Sequence, residues 1–135
     1  MTAAALALQT AVLARLRADP AISASALAGR LHDAPPRDPA FPHLVLAEAT
    51  GRDRSGLDAP LAEHRLTLRL FSRKGGRREV LALAGLVETA LAGGDLALDG
   101  HRLVLLRRDL AETRLLADRV TAEAALRFLA LTEPL

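Results

Sequence analysis

The sequence predicts a fold of the α+β class, because the hydrophobic period changes from that of a strand to that of a helix within residues 64–91. Side chains of a strand point alternately to the two faces of a sheet. Such an alternation starts at His64 and continues through Leu66, Leu68 and Leu70, while Arg65, Thr67, Arg69 and Phe71 occupy the opposite face. After Gly75-Gly76 the apolar residues recur at steps of three and four, as on one side of a helix: Val80, Leu83, Ala84, Val87 and Leu91. The two apolar faces are expected to pack together.

The N-terminal segment predicts a first helix that begins at a Thr2 cap and ends near Ala18. Its apolar stripe is expected to consist of Ala5, Leu8, Val12, Leu13 and Leu16. Asp19-Pro20 ends this helix, because a residue before proline avoids α geometry, and the same pair can start a short second helix that closes at Gly29. Alanines surround much of the first helix, so it is either an Ala-rich surface helix or one that packs on both sides, against its own sheet and another subunit.

The middle of the chain predicts two short extended segments around an irregular one. Arg30–Asp33 fits a brief strand, and residues 34–42 contain four prolines, which exclude regular structure. His43–Ala49 is predicted to be a strand, antiparallel to the one that starts near Glu63. The connection between them, Thr50–Ala62, is long for a hairpin, and long loops are often functional or disordered.

The last third leaves two interpretations open. The central helix is expected to end at Gly93-Gly94, and Asp99-Gly100 predicts a hairpin turn followed by a strand over Leu103–Leu106. Residues 109–131 fit one helix, with a stripe of Thr113, Ala117, Val120, Ala124, Phe128 and Leu131. They fit equally well two strands that turn at Asp118-Arg119, with one face formed by Ala122, Ala124, Leu126, Phe128 and Ala130.

The composition bounds both the size and the chemistry of the protein. A chain of 135 residues is expected to form a single domain, residues 1–135. It has no cysteine, which excludes disulfides, thiolate catalysis and cysteine-ligated zinc. Its basic residues are 17 arginines and one lysine, and the net charge is only +2. Residues 52–78 nevertheless contain eight basic and three acidic residues, a net charge of +5, which leaves −3 for the rest of the chain.

No catalytic, metal or cofactor site is predicted. The four histidines, His32, His43, His64 and His101, lack the paired spacing of metal ligands and are expected to be isolated residues at the surface or at strand edges. No serine lies in a Gly-x-Ser-x-Gly motif. Arg73-Lys74-Gly75-Gly76 reverses the order of a phosphate-binding loop, so we interpret it as a tight turn from strand to helix, with Glu79 complementing the helix dipole.

The basic segment raises nucleic-acid binding as an alternative function. Against this alternative, the chain has no Trp or Tyr and only three Phe, so bases would find few rings on which to stack. The alternation of Arg65 and Arg69 with Thr67 also fits a face exposed to solvent or to another subunit. The apolar N-terminus lacks the basic start of a signal peptide, and no apolar run is long enough to span a membrane, so a soluble protein is expected.

The order of motifs along the whole chain resembles that of the tail terminator, or tail-completion, proteins of long-tailed phages and phage-like gene transfer agents. The most specific motifs are Asp33-Ala34-Pro35-Pro36 and the corner Phe71-Ser72-Arg73-Lys74-Gly75-Gly76. They are preceded by the N-terminal helix and the short Asp-Pro-Ala helix. Phe41-Pro42-His43-Leu44 and the C-terminal segment Leu126–Leu131 complete the pattern.

The resemblance implies a mixed or antiparallel sheet with the helices packed on one face, and it favours the two-strand interpretation of residues 109–131. It also implies a structural protein, with no enzymatic activity, located in a virion or phage-like particle and assembled in the bacterial cytoplasm. The implied partners are further copies in a homohexameric ring, the tail tube protein, the head-completion (stopper) protein and DNA that passes through the lumen. No membrane partner is implied. On this basis Thr50–Ala62 and the corner at residues 73–76 are expected to contact neighbours, and the candidate interface residues are Arg52, Arg54, Arg65, Arg69, Arg73 and Lys74.

Overall fold

A computed structural model describes residues 3–135, which form three helices and six strands within that range. The helices are α1 (Ala4–Ala18), α2 (Pro20–Ser23) and α3 (Arg78–Leu91). The strands are β1 (Leu31–His32), β2 (His43–Asp53), β3 (Ala62–Ser72), β4 (Ala97–Leu98), β5 (His101–Leu115) and β6 (Ala122–Pro134).

The six strands form one mixed sheet in the order β1-β2-β3-β6-β5-β4. β1 runs parallel to β2, and every other neighbouring pair is antiparallel. The register aligns Leu46 of β2, Leu68 of β3 and Leu126 of β6 on one face. The helices cover that face, so the predicted α+β class is confirmed.

The core lies between this sheet face and the apolar sides of α1 and α3. All five residues of the predicted stripe on α3 are buried. On α1 the prediction is right for Leu8, Val12, Leu13 and Leu16, but wrong for Ala5, which is exposed. Ala5 belongs to the first turn of the helix. The predicted Thr2 cap lies outside the described residues.

The predicted start of the second helix is confirmed, although the helix is shorter than expected. The carboxylate of Asp19 accepts a hydrogen bond from the backbone N–H of Ile22 (3.0 Å), as a cap residue should. The helix ends at Ser23, and a series of turns continues to Gly29, whose φ is +72°. The brief strand in 30–33 and the irregular segment 34–42 are also as predicted.

The expected loop over Thr50–Ala62 is too long by five residues, because both strands of the hairpin extend into it. β2 continues to Asp53, which pairs with Ala62 at the start of β3, and only residues 54–61 connect the strands. A β-bulge between Leu46 and Glu48 shifts the register, and every residue from Ala47 to Asp53 is exposed. The strand therefore has no alternation of apolar residues by which its sequence could be recognised.

The two-strand interpretation of residues 109–131 is correct, and the helix is wrong. β5 and β6 pair along their length and are joined by residues 116–121, in which Arg119 adopts a left-handed φ of 61°. The five residues predicted for one face of the second strand are all buried. The predicted turn at Asp99-Gly100 joins Leu98 to its partner His101.

Glycine conformation produces the corner between β3 and α3. Gly75 and Gly76 have φ angles of +84° and +68°, and no atom lies within 4 Å of the position that a Cβ would take on either. The corner is therefore a turn, as predicted, and a side chain there would strain only the backbone. α3 ends as predicted before Gly94, which has a φ of +63°.

We expect Gly76→Ala to lower the free energy of unfolding by about 1–2 kcal/mol, the cost of placing a side chain in left-handed geometry. Gly85 provides the matched control, since it lies in α3, has no positive φ, and has no atom within 4 Å of the position that a Cβ would take. Gly85→Ala should raise the free energy of unfolding by about 0.5–1 kcal/mol. Denaturant titrations of both variants measure these changes, and equal signs would contradict the prediction.

Candidate functional site

The face of the sheet opposite the helices includes three of the six candidate interface residues, Arg52, Arg65 and Arg69. Because side chains alternate, the residues of β2, β3, β6 and β5 that point away from the helices share this open face. They are mainly charged: Glu48, Arg52, Glu63, Arg65, Arg69, Arg102, Arg107, Glu112, Arg114, Glu123, Arg127 and Glu133. The open face is therefore a surface of arginines and carboxylates in similar numbers.

Four of these side chains form a continuous series of ion pairs across the sheet, which we call the charge ladder: Glu48, Arg69, Glu123 and Arg114. The Arg69 guanidinium contacts Glu48 Oε1 through Nη2 (2.8 Å) and Glu123 Oε1 through Nη1 (3.3 Å). Arg114 Nε reaches the same Glu123 oxygen at 2.9 Å. The hydrogen bond to Glu48 is the main reason that the pKa of Arg69 is raised.

The two ends of the charge ladder are open to solvent, whereas its centre is not. The side chains of Glu48 and Arg114 are 59% and 66% exposed, and that of Glu123 is 7% exposed. A carboxylate this deeply buried needs partners for its charge. Arg69 and Arg114 supply them, so the ladder both satisfies Glu123 and presents opposite charges at opposite edges of the sheet.

A second group of ion pairs lies on the same face. Asp109 Oδ2 contacts Arg65 Nη1 (2.8 Å) and Arg127 Nε (3.2 Å). Glu63 lies between Arg65 and Arg54 at 3.8 and 3.9 Å. Carboxylates from β2, β3, β5 and β6 thus neutralise much of the charge that the sequence concentrates in residues 52–78.

The corner after β3 is held by an aromatic cluster. The guanidinium of Arg73 lies 4.0 Å from the ring centre of Phe41, and its Nε donates to Thr121 Oγ1 (3.1 Å). His43 stacks on Phe71 with ring centres 5.1 Å apart. Arg73 is thereby tied to the β5–β6 turn, where the carboxylate of Asp118 accepts hydrogen bonds from Thr121 and Val120 that lower its pKa to about 2.

Lys74 differs from Arg73 in having little contact with the domain. Its side chain is 79% exposed, and its nearest acidic atom is Glu79 Oε2 at 4.0 Å. Glu79 accepts a hydrogen bond from Ser72 Oγ (2.5 Å) in the first turn of α3. The start of that helix therefore has its own carboxylate, as predicted.

The six candidate interface residues do not form one cluster. Arg65 and Arg69 lie on the open face in ion pairs, Arg52 and Arg54 lie at the end of the β2–β3 hairpin, and Arg73 and Lys74 lie at the corner. That these six contact a neighbouring subunit or partner stays a prediction. Sequence reasoning missed the acidic half of the open face, because only the pairing of β3 with β6 brings Glu123 to Arg69.

His43 and His64 are buried, so the expectation of surface positions is wrong for both, although His43 is the first residue of β2 and thus at a strand edge, as predicted. His43 packs between Phe41 and Phe71, with its ring 6.1 Å from that of His32. His64 lies on the core side of β3, and its Nε2 is 2.9 Å from Thr132 Oγ1. Burial lowers the pKa of both rings, with smaller effects from His32 and Arg73 on His43 and from His101 on His64. No group of three potential metal ligands occurs within residues 3–135.

We expect the free energy of unfolding to fall as the pH drops below about 6.5, the ordinary pKa of histidine. Because the folded-state pKa of His43 and His64 is lowered, the unfolded chain binds protons first, and acid favours it. The loss should continue until the pH reaches the lowered pKa values. Denaturant titrations between pH 5 and 8 test this, with His64→Gln as the variant that should flatten the profile and the wild-type protein as the reference. An unchanged slope in His64→Gln would contradict the assignment.

Comparisons with known proteins agree with the resemblance inferred from the sequence. A family model described as tail completion protein gp17 matches residues 10–133. A solved structure described as the virion of a native gene transfer agent particle contains a chain that superposes with a TM-score of 0.89. That chain is 30% identical, and the match covers 98% of this protein and 99% of the other chain. No curated protein sequence matches significantly.

No helix in the described part of the chain is long and apolar enough to cross a membrane. The family match covers nearly the whole chain. The chain therefore belongs to the tail completion protein gp17 family and is a structural component of the tail of a phage-like particle.

Proposed function

We propose that this protein forms a homohexameric ring that ends the tail tube and joins it to the head-completion protein, while DNA passes through the lumen. The observation that carries the proposal is the superposition of almost the entire chain on a component of a gene transfer agent virion, at 30% identity. The protein acts as one domain, without enzymatic activity, and assembles in the bacterial cytoplasm.

The distribution of exposed residues supports several contacts with neighbours. Residues 47–60 of the β2–β3 hairpin are all exposed, and Leu57 at its tip is completely so. Five of the large apolar side chains exposed in the described chain lie on β5 or its following turn: Val104, Leu105, Leu110, Leu115 and Val120. They do not share one face, but exposed apolar side chains along one strand can be buried against a neighbouring chain.

The hairpin tip and the corner are the surfaces that we assign to the tail tube and the head-completion protein. Exposed loops on a rigid scaffold usually carry binding. Arg52 has no ion pair within the described residues, and Lys74 is largely exposed, so both can bind an acidic partner without first breaking a strong contact. Arg54, Arg65, Arg69 and Arg73 would act through guanidinium groups already oriented by the fold.

The ring is tested by native mass spectrometry and electron microscopy of the purified protein over a range of concentrations. We expect hexamers and small rings with an open centre. Particles assembled without the protein should contain heads and tails that fail to join, and adding the protein should restore joining. A protein that stays monomeric at high concentration, and without which heads and tails still join, would overturn the proposal.

Duplex DNA binding by single subunits, the alternative function, is not favoured by the charge arrangement. Acidic residues pair with Arg54, Arg65 and Arg69, so the open face has no large positive field. In fluorescence anisotropy with duplex DNA, we expect no tight binding. A DNA-binding protein would show a binding constant whose logarithm falls steeply as the logarithm of the salt concentration rises. Tight binding in low salt that is lost in Arg65→Ala would instead favour the alternative.

A further inference from the structure

Both edges of the sheet are open over a long part of their length. β4 pairs only with His101 and Arg102, so residues 103–115 of β5 have a strand on one side only within the described chain. β1 pairs only with Leu44 and Val45, so residues 46–53 of β2 also have a strand on one side only within the described chain. The free N–H and C=O groups of such edges pair readily with a strand of another chain.

The outer part of each open edge lacks two of the usual protections against pairing, proline and lysine. Residues 110–115 and 48–53 contain no proline or lysine, and the register irregularities of both strands precede these segments. The β5 segment also exposes Leu110 and Leu115. Each edge thus offers six residues of regular backbone, and strands of this length are common in sheets.

The charge ladder makes the two edges complementary. Its final carboxylate, Glu48, lies at the β2 edge, and its final guanidinium, Arg114, lies at the β5 edge. When the β5 edge of one copy meets the β2 edge of another, the positive end of one ladder meets the negative end of the next. The ion pairs then continue from copy to copy.

We propose that β5 of each copy pairs antiparallel with β2 of the next copy, with Arg114 opposite Glu48, and that this contact is the repeating interface of the ring. The inference rests on the ring proposed above. β2 and β5 run in opposite directions within one sheet, so copies that share one direction along the ring axis meet antiparallel. The contact joins two different surfaces, and such contacts close into rings when the rotation per subunit allows it.

The proposed register also brings small side chains together on the face that points away from the ladder. With Arg114 opposite Glu48, Thr113 lies opposite Ala49 and Ala111 opposite Gly51. Small residues at these positions let two backbones approach without a clash. Opposed residues in an antiparallel pair have Cα atoms about 4.5–5.5 Å apart, within the range that a disulfide can bridge.

Disulfide cross-linking tests the register directly, because the natural chain has no cysteine. In the double variant Ala49→Cys/Thr113→Cys, oxidation should convert most of the protein into covalent oligomers, seen as a series of bands on a non-reducing denaturing gel. The control Leu81→Cys/Thr113→Cys pairs the same β5 position with an exposed residue of α3 and should stay monomeric on that gel. Neither variant alters the charge ladder.

The outcomes separate this inference from the ring itself. Rings that form in native mass spectrometry but do not cross-link beyond the control would overturn the β5–β2 interface and leave the ring standing. A wild-type chain that never forms rings would overturn the ring and this interface together.

A charge exchange provides the second measurement. Glu48→Arg and Arg114→Glu should each reduce the fraction of protein in rings, because like charges then meet across the interface. In Glu48→Arg/Arg114→Glu the opposite charges are restored between copies, and the ring fraction should recover. A double variant with fewer rings than either single variant, at equal folded fraction, would contradict the pairing.

Discussion

Leu68→Ala is expected to lower the free energy of unfolding by about 2–5 kcal/mol, the range measured when a fully buried leucine is truncated. Leu68 has no exposed surface and lies at the middle of β3 between Leu46 and Leu126. The backbone of β3 is hydrogen-bonded to both neighbouring strands, so the sheet cannot collapse into the space that the side chain leaves. A thermal or denaturant titration of the isolated protein measures the loss.

Leu81→Ala is the matched control, because it makes the same chemical change at a position that is 52% exposed. Leu81 lies in α3, where alanine is at least as good a helix former as leucine. Its effect should stay within about 0.5 kcal/mol, as for most surface substitutions. Similar losses in the two variants would mean that the core does not lie where β3 and the helices meet.

The elements that could be predicted are those whose one face is buried and whose other face is exposed. β3 and α3 have such faces, and their hydrophobic periods predicted them correctly, as did the stripe of α1 from Leu8 onward. The second halves of β2 and β5 have no buried face and follow bulges that shift the register. Nothing local distinguishes such strands from loops, and only pairing with a neighbour creates them.

Only the basic residues of the candidate site could be predicted, because its acidic residues come from distant parts of the sequence. The basic residues of 52–78 are close in sequence, so their charge was visible without a fold. The acids that neutralise them, Asp109 and Glu123, come from β5 and β6 and reach Arg65 and Arg69 only through strand pairing. Glu123 lies in a strand of small and apolar residues, and a single carboxylate there gives no indication of two arginine partners.

Glu123→Gln is expected to lower the free energy of unfolding by about 1.5–3 kcal/mol, the usual value of hydrogen bonds to charged groups. Glu123 is buried, and its Oε1 atom receives hydrogen bonds from both Arg69 and Arg114. A neutral amide has nearly the same shape, but it leaves two guanidinium groups facing each other without a carboxylate between them. The arginines are partly exposed, which keeps the loss below that of a fully buried ion pair.

Glu133→Gln tests whether the burial of Glu123 causes the loss of stability. Glu133 lies on the same strand and the same open face and pairs with Arg102 near the exposed end of the strand. An exposed pair of this kind is worth about 0.2–1 kcal/mol, so this variant should be close to wild type. Double-mutant cycles with Arg69→Ala and with Arg102→Ala measure the coupling energies of the two pairs. The coupling energy of Glu123 with Arg69 should be larger than that of Glu133 with Arg102. If removing either carboxylate lowered the free energy of unfolding equally, Glu123 would contribute no more than an exposed ion pair. The charge ladder would then not be stabilised by its buried centre.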